Sequence, residues 1–302
     1  MTLPNFFVVG AARSATDAVY SYLKQHPDVY MSPVKETNFF VFYGDRVKYC
    51  GPGDQEALRS CYVPSMDAYQ ALFRPAQDAA ARGEASPWYL YMRDTPGRIR
   101  QHVPQAKLIA ILRNPIDRAY SSFCMLHRDN REPLANFISA LAQEPRRISA
   151  NWEPIWHYRA MSLYAEQIRR YQQTFGPDQL RIYLYDDLER DAQSVVRDMF
   201  GFLGVDTGFT PNTSTRPNQS YVPRNQRLHA FLAGQNSAKS LIKPLVPLGL
   251  RQRLKARLMA TNAAGTSVSP GVRERLLPAF RADIEQLQAL IDRDLSSWLV
   301  AG

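Results

Sequence analysis

Two short, uninterrupted apolar runs, each released into a tight loop and then a helical pattern, constrain the fold of this chain more than any other feature. The first, Phe6-Phe7-Val8-Val9, stops at Gly10; a loop of small and hydroxyl residues follows, and helical spacing begins near Asp17 with Val19, Tyr22 and Leu23 on one side. The second occupies residues 107–112 of "AKLIAILRNP", ends at Arg113-Asn114-Pro115 and leads into the helix pattern "IDRAYSSFCMLHR". A run that is apolar at every position suits a strand covered on both faces. Such strands alternating with helices build a central parallel sheet flanked by helices.

The rest of the chain fits one three-layer α/β domain over residues 1–302. A short strand is expected at Val29–Met31, after Pro27 breaks the first helix. Residues 43–65 read as an irregular excursion rich in Gly and Pro, followed by a helix at 66–74, an extended stretch from Gly83 to Tyr91 and a helix at 95–102. Helices are also expected at 159–176 and 192–203, with a strand in "QLRIYLYDDLERD" between them. Leu276, Phe280, Ile284, Leu287, Ile291 and Leu295 recur at helical spacing and predict a closing C-terminal helix over 271–298. Residues 235–265 form a basic linker or insertion; Pro244, Pro247 and Gly249 interrupt it, so a solvated segment is preferred to an interfacial membrane helix.

With 302 residues and 45% apolar composition a sizeable core is available, and 37 Lys+Arg against 28 Asp+Glu leave a net charge of +9. That balance suits anionic substrates, nucleic acid or a membrane surface without choosing among them. Three scattered cysteines, Cys50, Cys61 and Cys124, give neither a disulfide framework nor a metal site, and a reducing cytoplasm is the expectation. The N-terminus lacks a basic region, and no run approaches 18 apolar residues, so a secretory signal and a membrane span are not expected.

Open α/β sheets place their ligands beyond the C-terminal ends of the strands, which directs attention to the two strand-ending loops. Gly10–Thr16 has the layout of a phosphate cradle at a helix N-terminus, but it lacks the second glycine and the lysine of a Walker A loop, which disfavours a nucleotide kinase. Arg113 leaves the second strand directly, and Ser121 lies eight residues later, two turns into the helix, so both can reach one anion. Alone, the pair is equally an arginine with a structural partner. On spacing alone, Glu36 beside Lys35 is likewise half of an ordinary ion pair.

The order of the blocks is more specific. A loop of the form G-A-x-[KR]-S-x-T, then "QHPDVYMSPVKETNFF", "GEASPWYL", "LRNPxxRAYSxF", "LYAEQIRRYQQTFG", "YLYDDLERD", "FLGV" and "IDRDLSSWL", resembles the sulfotransferase family that uses 3′-phosphoadenosine 5′-phosphosulfate (PAPS). The similarity runs from about residue 5 to 298 and points to the branch containing bacterial and heparan-type carbohydrate enzymes. The resemblance implies a P-loop-like sulfotransferase fold and in-line transfer of a sulfuryl group from PAPS to a hydroxyl or amine of a small molecule or sugar, with PAP as product and no metal. It assigns the 5′-phosphosulfate loop to Arg13, Ser14, Ala15, Thr16 and Asp17, and the 3′-phosphate clamp to Arg113 and Ser121, with Arg224 as a further phosphate ligand and Arg227 in reserve. Glu36 takes the place of the general base, while Lys35 favours its carboxylate form or touches the donor; Glu84 and Ser86 help to position donor or acceptor. Two other readings stay open: a non-catalytic PAP- or anion-binding protein on the same fold, and a basic peripheral membrane or nucleic-acid binder acting through residues 236–258. Nucleic acid is not an expected partner of the enzyme.

The departures fall inside the cradle. The family loop usually reads K-S-G-T-T, whereas this chain has Arg13-Ser14-Ala15-Thr16-Asp17. Arginine keeps the charge and gains a bidentate fork, and Ala15 matters only if the loop needs a positive φ there. Asp17 removes a hydroxyl and adds a charge. It caps its own helix, pairs with Arg13 or Arg113, or weakens the donor site.

Overall fold

The computed structural model describes residues 2–43, 45, 47–58, 63–76, 78–214, 222–223, 263–264 and 267–300. In chain order the main elements are β1 (Phe6–Gly10), α1 (Thr16–Leu23), β2 (Val29–Met31), α2 (Phe39–Phe42), α3 (Asp54–Leu58), α4 (Met66–Ala71), β3 (Ala81–Ala85) and α5 (Thr95–His102). There follow β4 (Lys107–Leu112), α6 (Pro115–Arg128), α7 (Phe137–Ala142), α8 (Glu144–Ser149), α9 (Tyr164–Phe175), β5 (Leu180–Leu184), α10 (Tyr185–Arg190) and α11 (Ala192–Leu203). The C-terminal region supplies α12 (Pro270–Leu276) and α13 (Arg281–Ile291). A two-residue antiparallel pairing joins Val222–Pro223 to Ala263–Ala264.

The five main strands form one parallel sheet in the order β2-β3-β1-β4-β5. β1 and β4 are therefore interior strands with neighbours on both sides, which is why both read as continuous apolar runs. Phe6 and Val8 face one layer with Val19 and Tyr22 of α1 and Met199 and Phe200 of α11. Phe7 and Val9 face the other, with Phe40, Tyr89, Ile116, Ile168 and Tyr171. The expected three-layer α/β architecture is thus observed. At the β1–β3 seam the Phe6 ring lies where a Cβ on Gly83 would stand, at 2.1 Å. Gly83→Ala is accordingly expected to destabilise the fold by about 2 kcal/mol through overpacking, read as a lower midpoint in urea; an unchanged midpoint would show that the seam opens freely.

Where elements end differs from the sequence pattern for identifiable reasons. "QLRIYLYDDLERD" is a strand only to Leu184, the partner of Leu112 at the end of β4, and with no ladder beyond that pair the chain turns into α10. The stretch 159–176 begins as a short 3-10 turn; α9 starts at Tyr164, where the carboxylate of Asp283 accepts from the N–H groups of Tyr164 and Ala165. The single closing helix expected over 271–298 is broken: Pro278 interrupts it between α12 and α13, and Asp292, at φ 51°, ends α13. The excursion at 43–65 contains α3, and α7 and α8 were not marked by any periodicity. Arg224, Arg227 and most of the 235–265 linker lie outside the described residues, as does Cys61; Cys50 and Cys124 are free thiols.

Candidate functional site

β1 and β4 end side by side, so the loops that follow them share one rim of the sheet. The Gly10–Thr16 loop is packed tightly against the turn after β3, since a Cβ on Gly10 would meet Leu90 at 2.6 Å. Arg13 and Ala15 take left-handed conformations, φ 69° and 64°. Ala15 therefore stands where glycine would be unstrained, which answers the question raised by its substitution. On the neighbouring loop Asn114 caps α6, its side-chain oxygen accepting from the N–H groups of Ile116 and Asp117, with Pro115 at the first helical position. That cap fixes where α6 begins and hence where Ser121 faces.

Three of the expected donor-binding residues converge. Arg13 Nε donates to Ser121 Oγ at 3.1 Å and its Nη1 lies 3.3 Å from Met125 Sδ, while Arg113 Nη1 donates to the carbonyl of Arg13 at 3.3 Å. The Arg113 guanidinium also stacks over Tyr185, 4.6 Å from its ring centroid. Burial lowers the pKa of Arg13, Arg128 and Arg113 lower it further, and Asp17 opposes them. Cations gathered at this density are favoured by an anion among them. Arg13, in the loop itself, thus also lies against the Arg113–Ser121 pair. Nearby, the buried hydroxyls of Ser14 and Tyr164 have no close hydrogen-bond partner among the described residues. They lie beside each other and beside Arg113; burial pushes Tyr164 up to about 12, against the pull of Arg118 and weaker interactions with Arg113 and Ser14. Unsatisfied hydroxyls beside an arginine pair fit the oxygens of an anionic donor.

Of the readings considered for Asp17, capping of its own helix is not observed. Helix α1 carries no side-chain cap, and the carboxylate pairs with Lys35, Oδ1 to Nζ at 2.5 Å. Lys35 also donates to Glu36 Oε1 at 2.8 Å, so one ammonium bridges two carboxylates. Burial works against the charged form of Lys35, yet Glu36 and Asp17 outweigh it and its pKa is raised. The negative charge at position 17 therefore acts on Lys35 as well as on Arg13, and the loop's own sequence gives no reason to link it to Lys35. No described residue donates to Glu36 Oε2, which leaves that oxygen open.

Behind Glu36 lies a buried carboxyl, Glu84 of β3, which accepts from Thr37 Oγ1 at 2.5 Å. Burial raises its pKa to about 7, against the hydrogen bonds of Thr37, Tyr89 and Tyr69. The sign follows from linkage. Between the ordinary carboxyl value near 4.5 and about 7 the unfolded chain has released this proton while the native chain still holds it, so stability falls as pH rises through that window. The cost above it is on the order of 3 kcal/mol. Glu84→Gln is expected to gain on the wild type across that window in urea unfolding at pH 4.5 and 7.5; a constant difference would contradict the assignment.

Other site residues gave no signal in spacing. Arg128 adds charge beside Arg13, although it also pairs with Asp129 at 2.8 Å. Arg131 bridges the buried carboxylates of Asp54 and Glu153 at 2.5 and 2.7 Å, which docks the 47–58 excursion against residues 151–157. Burial pushes Glu153 up to about 7, against the pull of Arg131. Trp88, Phe39 and Phe40 pack in the core. His26 is buried, its ring bonded to the carbonyl of Asp206 and the N–H of Asp28.

Among the described residues no group of three His, Cys, Asp or Glu is arranged to hold a metal ion, and no helix is long and apolar enough to cross a membrane.

The fold is matched by known proteins. A sulfotransferase from Alicyclobacillus acidocaldarius superposes with a TM-score of 0.78 at 36% identity, covering 99% of each chain. Human bifunctional heparan sulfate N-deacetylase/N-sulfotransferase 3 is 31% identical over 207 residues, 67% of this chain but only 22% of that protein. Human heparan sulfate glucosamine 3-O-sulfotransferase 6 is 26% identical over 202 residues, again 67% of this chain and 52% of the relative. The chain thus matches about a fifth to a half of these curated relatives. With the sulfotransferase family description matching residues 4–211, including both anion loops and Glu36, the chain belongs to the sulfotransferase family.

Proposed function

We propose that the chain transfers a sulfuryl group from PAPS to a hydroxyl or amine, with a carbohydrate or small molecule as acceptor. The observation that carries this reading is the placement of a cationic anion site, Arg13, Arg113 and Ser121, on the same rim as a carboxylate with one open oxygen, Glu36. The donor brings an activated sulfuryl group on its 5′-phosphate. Arg113 and Ser121 hold the 3′-phosphate, and the loop Arg13–Asp17 cradles the 5′ end with its backbone N–H groups. Glu36 Oε2 takes the acceptor proton as the acceptor oxygen or nitrogen bonds to sulfur; the sulfur–oxygen bond to the phosphate breaks, and its electron pair stays with PAP. Arg13 offsets the charge that collects there, an oxyanion-type contribution of about 3 kcal/mol. Lys35, bonded to Oε1, orients Glu36. Alignment and charge neutralisation supply most of the acceleration, as in phosphoryl transfer.

The acceptor class follows the relatives, which act on heparan sulfate. Incubation with ³⁵S-labelled PAPS and two acceptors, de-N-sulfated heparin oligosaccharide and p-nitrophenol, tests it. Label on the oligosaccharide supports a carbohydrate acceptor, label on the phenol alone a small-molecule one, and no transfer to either would overturn the acceptor assignment.

A further inference from the structure

The segment that carries Glu36 is not held by secondary structure of its own. Glu36 and Asn38 both have left-handed backbones, φ 59° and 46°, and the helix after them is a single turn, α2. Its position comes from β3 and the turn that follows. The N–H of Glu36 donates to the carbonyl of Ala85 at 3.0 Å, that of Asn38 to Ser86 Oγ at 3.1 Å and that of Phe40 to the Tyr89 hydroxyl at 3.2 Å. At the middle of this splint Thr37 Oγ1 donates to Glu84 Oε2 at 2.5 Å and accepts from the N–H of Phe39 at 3.3 Å.

Thr37 and Glu84 are both fully buried. The groups facing the Glu84 carboxyl are hydroxyls, those of Thr37, Tyr89 and Tyr69 from α4, and no cation is among them. A carboxyl in such a place is poor packing material, because burying it costs free energy that an apolar side chain would not. What it supplies is a fixed acceptor. The Thr37 hydroxyl donates to Glu84 at 2.5 Å, far closer than its 3.4 Å contact with the Tyr89 hydroxyl, and this short bond holds the Thr37 side chain and with it the adjoining Glu36 backbone. A left-handed conformation at a non-glycine residue persists only where its surroundings over-determine it.

We propose that Glu84 is a positioning residue for the transfer reaction: through the Thr37 hydroxyl it holds Glu36 in its left-handed conformation and so aims the open carboxylate oxygen at the acceptor. This rests on Glu36 being the base, and the test separates the two.

Thr37→Val, Thr37→Ser, Glu84→Leu and Glu84→Gln are compared with Glu36→Gln and the wild type. Release of PAP from PAPS is measured with de-N-sulfated heparin oligosaccharide or, where it accepts nothing, with water, and PAP affinity is measured by calorimetry. Thr37→Val and Glu84→Leu, which each remove one side of the bond, are expected to slow PAP release about 10- to 100-fold, the scale of an ångström-level misplacement. Their Kd for PAP stays within about twofold of wild type, while Thr37→Ser, which keeps the hydroxyl, and Glu84→Gln, which keeps an acceptor oxygen, restore most of the rate. In a crystal structure of the PAP complex of Thr37→Val, residue 36 leaves its positive φ. If Glu36→Gln is inactive while Thr37→Val and Glu84→Leu keep wild-type rates, the positioning role is wrong and the base survives. A wild-type rate for Glu36→Gln overturns the base itself. Loss of rate in parallel with PAP affinity reduces Glu84 to a structural part and also overturns the proposal. Should Glu84→Leu fail to fold, the contrast between Thr37→Val and Thr37→Ser decides alone.

Discussion

Glu36→Gln is expected to lower sulfuryl transfer by about 10²- to 10⁴-fold, the range over which a positioned general base contributes, while leaving the Kd for PAP within about threefold of wild type. Glutamine keeps the shape of the side chain and its Oε1, which still accepts from Lys35 Nζ. It lacks only the open carboxylate oxygen that takes the proton. The anion site is built from other elements, the loop after β1 and the start of α6, so binding of the product is untouched. Steady-state rates with labelled PAPS and calorimetry on the same preparations give both numbers. A variant that kept wild-type turnover would remove Glu36 from the chemistry.

Arg113→Ala acts in the opposite sense, on binding first. Arg113 leaves β4 at the rim, stacks on Tyr185 and donates to the carbonyl of Arg13, so its guanidinium is pre-set before any ligand arrives. Removing one partner of a charge-assisted contact costs about 2–5 kcal/mol, so PAP affinity is expected to fall about 10²-fold, with the urea midpoint little changed. Weakened stacking on Tyr185 and a freed Arg13 carbonyl are local losses at the surface of the sheet rim. An affinity within twofold of wild type would place the 3′-phosphate elsewhere.

How legible this was in the sequence depended on the range of the interactions concerned. Continuous apolar runs at 6–9 and 107–112 report burial on both faces, a property of the residues themselves, and so the interior strands and the parallel sheet could be read directly. Arg113 and Ser121 could be paired because helical spacing places them within one element and its leading loop. The pairing of Asp17 with Lys35 could not, because it joins the start of α1 to a loop beyond β2 whose position is set by hydrogen bonds to β3. The contact of Thr37 with Glu84 escaped for the same reason: "KETNFF" and "GEASPWYL" were visible as blocks, but they meet only when β2 and β3 lie side by side. Element ends were misplaced where a distant group decides them, as Asp283 does for α9 and the end of β4 does for β5.

The carboxylate at position 17 pairs with Lys35 and also acts on Arg13, and on the proposed reading the cradle still takes the donor. The most direct measurement of that claim is calorimetric titration of the intact chain with PAP. Arg13, Arg113 and Ser121 brought together on one rim predict a single site of micromolar or tighter affinity that weakens with added phosphate. Absence of heat at millimolar PAP would show that Asp17 and the loop around it have closed the donor site.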